Sequence, residues 1–214
     1  MDSEQEELEA LKKWWRDNGR AVVVGLVLGL GGVFAWTTWN ARVEAAAEQL
    51  SVLYEGVVNA AAANDNDTAL QQAEVIVAEN PDSEYAALAG LVAAKSALAL
   101  GRPEDAERLL AWVADNAGLE ELRNVARVRS AQLLAATGRH DAALETLAKV
   151  DAAAFAATVN ELQGDVLSAK DDAEGAAEAY RAALAAGSST TAAHNRLRIK
   201  LDSLGVEAAP APAQ

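Results

Sequence analysis

The chain has 214 residues, with 18 lysines and arginines against 32 aspartates and glutamates, and it contains no cysteine. A net charge of −14 leaves no basic footprint for a phosphate backbone, so nucleic acid is excluded as an expected partner. Neither disulfides nor thiolate metal sites are available, and abundant alanine with few long β-branched runs favours an all-α fold.

Residues 1–20 mix charges with Leu8, Leu11, Trp14 and Trp15 at helix-like spacing, the pattern of an amphipathic segment on a cytoplasmic membrane surface. Residues 21–39, AVVVGLVLGLGGVFAWTTW, carry no ionisable side chain. As a helix this run reaches about 28 Å, close to the roughly 30 Å hydrocarbon thickness of a bilayer. A buried core helix is usually shorter and keeps a polar edge. Cleavage as a signal peptide has some support in the small pair Ala45 and Ala47. Against it stand the length of the run, the charged stretch before it, and the tryptophans Trp14, Trp15, Trp36 and Trp39 at both ends. The expectation is an uncleaved transmembrane helix in contact with membrane lipid. Lys12, Lys13, Arg16 and Arg20 precede it and only Arg42 follows closely, which predicts a cytoplasmic N-terminus and an exported remainder. Gly25, Gly29 and Gly32 share one helical face, a candidate surface for packing against another membrane helix.

Residues 40–204 read as one helical domain. Arg42 to Ala63 forms a helix that either continues the membrane helix or stands apart from it, and ANDND from Ala63 breaks it. Beyond the break an internal repeat emerges. The segments beginning NDNDTALQQAEV, LGRPEDAERLL, TGRHDAALETL and AKDDAEGAAEAY superpose Ala69, Ala106, Ala143 and Ala176, at separations of 37, 37 and 33 residues. A period near 34, with small residues where helices cross, is the signature of tetratricopeptide repeats. Helix pairs are predicted at Ser83–Leu100 with Pro103–Asn116, Leu122–Thr137 with His140–Val150, and Ala156–Ala169 with Ala173–Ala186. Gly164 and Tyr180 match the repeat best in the last pair, whereas Ala94 with Leu110 and Ala131 with Leu147 take those places in the others. A final helix, about Thr190 to Leu204, is expected to cap the stack, and residues 205–214 have the composition of a mobile tail.

No catalytic constellation emerges, and neither cofactor nor metal is expected. His140 and His194 stand in polar helix-start contexts. Asp65 and Asp67 lack the later ligands of a calcium loop, and Glu104–Asp105 and Asp171–Asp172 suit helix N-termini. The expected activity is recognition of polypeptide by the first helices of successive pairs, with Leu91, Lys95, Val128, Gln132, Glu161 and Asp165 at outward positions.

The succession from EALKKWWRDNGRAVVVGLVLGLGGVFAWTTWNAR through AENPDSEYAALAGLVAAKSALALG and GRHDAALETL to ELQGDVLSAKDDAEGAAEAY resembles the YfgM family, ancillary subunits of the bacterial SecYEG translocon. That resemblance implies a single-pass inner-membrane protein with a periplasmic tetratricopeptide domain. Its implied partners are SecYEG, a PpiD-type periplasmic chaperone and exported polypeptides, and the resemblance supplies no catalytic residue. The alternative is a cell-envelope assembly scaffold, or a regulator whose repeats sequester a protein.

Overall fold

The computed structural model describes residues 2–151, 153–187 and 190–205. The mobile tail expected at 205–214 lies, from residue 206 on, outside the described residues. Among the described residues every regular element is helical: α1 (Asp2–Ala62), α2 (Asn66–Glu79), α3 (Glu84–Ala99), α4 (Pro103–Asn116), α5 (Glu120–Ala136), α6 (His140–Leu147), a 3₁₀ turn (Ala153–Phe155), α7 (Ala156–Ala169), α8 (Ala173–Ala186) and α9 (Thr191–Ser203). The chain divides into two compact units, Met1–Ser51 and Val52–Gln214.

The first unit is helical throughout its described length, and the helix expected from Arg42 is part of α1. Within α1, Val22–Ala62 contains the one stretch of the described residues long and apolar enough to cross a membrane. Its large side chains, including Leu28, Phe34 and Trp36, are exposed. The two polar interruptions are satisfied inside the helix, since the hydroxyls of Thr37 and Thr38 donate to the carbonyl of Phe34 at 3.0 and 2.7 Å. Such back-bonding is what an apolar solvent demands of a hydroxyl.

The second unit is a stack of helix hairpins. The turn inside each hairpin repeats one device. Asn64, Gly101, Gly138 and Asp171 adopt positive φ, between 60° and 76°. The amide of the next residue then donates five residues back, as in Asp65 to Ala60, Arg102 to Ala97, Arg139 to Leu134 and Asp172 to Leu167 at 2.8–3.0 Å. This is the Schellman arrangement that stops a helix and satisfies its last carbonyls. Glycine, asparagine and aspartate tolerate the left-handed conformation best, which explains their placement. Second helices start cleanly after these turns: Asp65 and Asp172 accept amide protons from Thr68 and Gly175 at 3.2 and 2.9 Å, and Pro103 opens α4.

Five residues beyond each left-handed position lie Ala69, Ala106, Ala143 and Ala176, all 0% exposed. A bare methyl at these places lets the two helices of a hairpin approach. Gly90 carries the same logic further, because a Cβ there would stand 2.7 Å from Cγ2 of Val113. On the outer side, ion pairs link one hairpin to the next: Arg102–Asp67 (3.5 Å), Arg108–Glu74 (2.8 Å), Arg139–Glu107 (2.6 Å) and Lys170–Asp141. They are exposed, so each contributes at most about 1 kcal/mol, and the buried alanine and leucine seam dominates.

Two boundaries differ from expectation by more than one residue. Helix α5 begins at Glu120, because Glu120 accepts from Arg123 and Arg127 and Arg123 also donates to the carbonyl of Ala117. Helix α6 ends at Leu147, three residues early. There Asn124 of α5, 1% exposed, donates to the carbonyl of Asp151 at 2.6 Å and accepts from its amide at 3.3 Å, drawing the following linker against α5.

Candidate functional site

The first helices α3, α5 and α7 line a groove of about 590 Å³. Its floor is apolar, with Leu91 from α3, Leu110 from α4 and Val128 from α5, and Phe155 enters it from the 3₁₀ turn that Asn124 helps to position. Lys95, Arg129 and Gln132 are exposed on its walls. Leu91 and Val128, expected as outward-facing, are 8% and 6% exposed. They are recessed because neighbouring first helices pack side by side, so they form the floor of the groove and the polar residues form its walls.

Gln132 and Thr158 continue into a smaller cleft of about 280 Å³ that also contains Glu161, Asp165 and Arg196. Here the fold has committed both carboxylates to α9. Arg196 donates to Glu161 through two nitrogens at 2.9 and 3.0 Å, and Lys200 donates to Glu161 at 2.9 Å and to Asp165 at 2.7 and 2.8 Å. The Tyr180 hydroxyl donates to Asp165 at 2.8 Å, and the Lys200 ammonium stands 5.7 Å from the centre of the Tyr180 ring. The Arg196 hydrogen bonds, opposed by burial and helped by Lys200, hold the Glu161 carboxyl down to about 2. Burial, followed by the hydrogen bond to Asp165, raises the Tyr180 phenol. Burial pulls the Lys200 ammonium down, yet its hydrogen bonds to Asp165 and Glu161 outweigh that and leave it raised. The arrangement is a charge-matched clasp, with its apolar neighbour left open.

The remaining sequence candidates are placed as follows. Gly25, Gly29 and Gly32 have open space where a Cβ would stand. His140 and His194 lie in the first turns of α6 and α9 and cap neither helix; the cap residues are Arg139 and Thr190. Asp65 and Asp172 cap α2 and α8. Among the described residues no three His, Cys, Asp or Glu side chains gather as metal ligands. Sequence reasoning missed Phe155 and Arg129. Phe155 is one of two phenylalanines in the chain and interrupts an alanine-rich linker, which was a usable signal; Arg129 was hidden beside Val128.

Helix hairpins repeated in this register, with first helices lining a groove, define a tetratricopeptide-type solenoid. A family model described as a tetratricopeptide repeat-like domain matches residues 12–206. The chain is 30% identical over 205 residues to the ancillary SecYEG translocon subunit of Escherichia coli (strain K12), covering 96% of this chain and 98% of that one. It is 30% identical over 185 residues to the protein of the same name from Haemophilus influenzae, covering 86% and 90%. Two solved structures share the fold: a crystal structure of MamA, at TM-score 0.53 and 16% identity over 69% of this chain and 83% of that one, and MamA from Desulfovibrio magneticus RS-1, at TM-score 0.55 and 16% identity over 73% and 89%. The chain belongs to the tetratricopeptide repeat-like family of ancillary SecYEG translocon subunits.

Proposed function

We propose that this chain is a non-catalytic, single-pass inner-membrane protein that associates with the SecYEG translocon. Its N-terminus lies in the cytoplasm and its solenoid in the periplasm. There the groove of Leu91, Val128 and Phe155 holds segments of exported polypeptides and passes them to a PpiD-type chaperone. The observation that carries this reading is the groove itself: an apolar floor long enough for several side chains, walled by Lys95, Arg129 and Gln132. That chemistry suits an unfolded apolar segment with an acidic residue beside it. The full-length likeness to proteins named as translocon subunits supports the location, and the four basic residues before the apolar run support the orientation. The face of Gly25, Gly29 and Gly32 would dock a membrane helix of the channel.

Photo-crosslinking in intact membranes tests this. A crosslinker at Gln132 is expected to capture exporting chains, and one at Gly25 a channel subunit. Recovery of envelope-assembly proteins with no channel subunit would instead mark an assembly scaffold. A reporter fused after Gln214 that is active only in the cytoplasm would overturn the topology.

A further inference from the structure

The apolar run of α1 is preceded by a feature that protein recognition leaves unused. Gly19 is buried, because the Trp15 ring folds over it; a Cβ on Gly19 would stand 3.3 Å from Trp15 Cε2 and Nε1. The indole takes the space a side chain would fill, and beside it lies a notch lined by Trp15, Arg16, Gly19 and Arg20, which continues along Val23 and Val24. Arg16 and Arg20 are one helical turn apart and share a stripe with Lys12; Asp17, three residues before Arg20, borders this stripe. The ion pairs of the described residues all fall between Asp67 and Lys200, so the charge of this stripe is not neutralised by them.

The notch thus has two ends of different chemistry. At one end two guanidiniums and an indole N–H offer hydrogen-bond donors to a phosphate. At the other, Val23 and Val24 offer hydrocarbon contact. At about 1.5 Å per residue, Arg16 and Arg20 lie within roughly 8 Å of the start of the apolar run, the depth at which lipid phosphates sit when that run spans the bilayer. A soluble anion would match only the cationic end, whereas a phospholipid matches both. We propose that this notch seats one anionic phospholipid, its phosphate between Arg16 and Arg20 and an acyl chain along Val23 and Val24. The inference rests on the membrane-spanning reading of α1.

The test is full-length protein reconstituted in vesicles of one part phosphatidylglycerol to four of phosphatidylcholine, followed by native mass spectrometry of the lipid it retains. The ratio of retained phosphatidylglycerol to phosphatidylcholine is expected to be about fivefold its bulk value of one to four, the factor that corresponds to about 1 kcal/mol for a basic residue at an anionic surface. Gly19→Leu pushes the Trp15 indole off its seat and so disrupts the notch while keeping every charge, and should return the ratio to the bulk value, as should Arg16→Gln with Arg20→Gln. Lys149→Gln, exposed and outside both the groove and the notch, should leave it unchanged. An excess of inorganic phosphate should not displace the lipid. No enrichment in the wild type, equal enrichment in Gly19→Leu, or displacement by inorganic phosphate would each overturn the site. Alkaline extraction of the same vesicles separates the two readings: protein that stays inserted without enrichment refutes only the lipid site, and protein that is stripped off refutes the membrane span as well.

Discussion

Gly164 of α7 lies so close to Tyr180 of α8 that a Cβ built on it would stand 2.5 Å from Cδ1 and Cε1 of the ring. The other hairpins solve the same crossing differently. Where the second helix carries Leu110 or Leu147, the first carries Ala94 or Ala131 in place of glycine, and all four side chains are buried. The small and large residues are therefore matched pairs, glycine with tyrosine and alanine with leucine. Gly164→Ala should destabilise the chain by up to about 2 kcal/mol: overpacking costs roughly 1–3 kcal/mol, and the gain in helix propensity returns about 1. Tyr180 cannot swing aside cheaply, because its hydroxyl is held by Asp165. Adding Tyr180→Leu to Gly164→Ala recreates the pairing of the other hairpins and should recover part of the loss. Thermal unfolding of the detergent-solubilised chain measures both, and a higher midpoint for Gly164→Ala alone would contradict the close approach.

The left-handed turn residues offer a second comparison within one molecule. Gly138 and Asp171 occupy equivalent positions at φ 76° and 62°. An ordinary side chain pays roughly 1–2 kcal/mol in this conformation. Gly138→Ala should lower stability by about 1 kcal/mol and Asp171→Gly should raise it by a few tenths, roughly, since aspartate already tolerates the turn. Urea unfolding of the two variants should move the midpoint in opposite directions.

These matched positions explain why the hairpins are legible in the sequence. Turn residue and alanine recur together, each constrained by local geometry, so the period survives even where other positions drift. The end of α6 was not legible, because it depends on Asn124 reaching a backbone group 27 residues away. The role of Glu161 and Asp165 was hidden for the same reason. Their outward position on α7 reads as free surface in a periodic pattern, but α9 brings Arg196 and Lys200 onto it from 35 residues later. Val128 shows the converse: the pattern puts it at an outward position of α5, and its recession into the groove floor follows only from how α3, α5 and α7 stand together.

Asn124 does not line the groove but is buried behind it, where it holds the linker that carries Phe155. It satisfies both the amide and the carbonyl of Asp151 and also accepts from Arg127 at 3.0 Å. Asn124→Ala deletes both hydrogen bonds to Asp151, a residue itself exposed, and at about 0.5–1.5 kcal/mol for each bond should cost about 1–3 kcal/mol. Asn124→Asp removes the donor and should cost a similar amount, whereas an exposed change such as Gln132→Ala should fall within about 0.5 kcal/mol of the wild type. Faster proteolysis of the 148–155 linker in both Asn124 variants would confirm that the bond holds Phe155 in place, and unchanged cleavage would refute it.

The α9 clasp should open in acid. The Glu161 carboxyl is lowered from 4.5 to about 2, chiefly by its hydrogen bonds to Arg196 with Lys200 assisting. A depressed carboxylate contributes stability above its unfolded value, and the contribution is lost as pH falls through the folded value. Docking of α9 should therefore be complete above pH 4.5 and weaken progressively towards pH 2. Other lowered carboxyls, Glu120 beside Arg123 and Asp141 beside Lys170, weaken other parts of the stack over acidic pH, so the measurement must be local. Hydrogen-exchange protection in α9, corrected for intrinsic rates and compared with α2, should fall first in the wild type. In Glu161→Gln the protection of α9 should be lower at neutral pH and should lose most of this dependence, because Arg196 then has no hydrogen-bonded carboxylate on α7 and feels only the charge of Asp165. If α9 and α2 lose protection in parallel in both proteins, the Glu161–Arg196 pair does not govern the docking of α9.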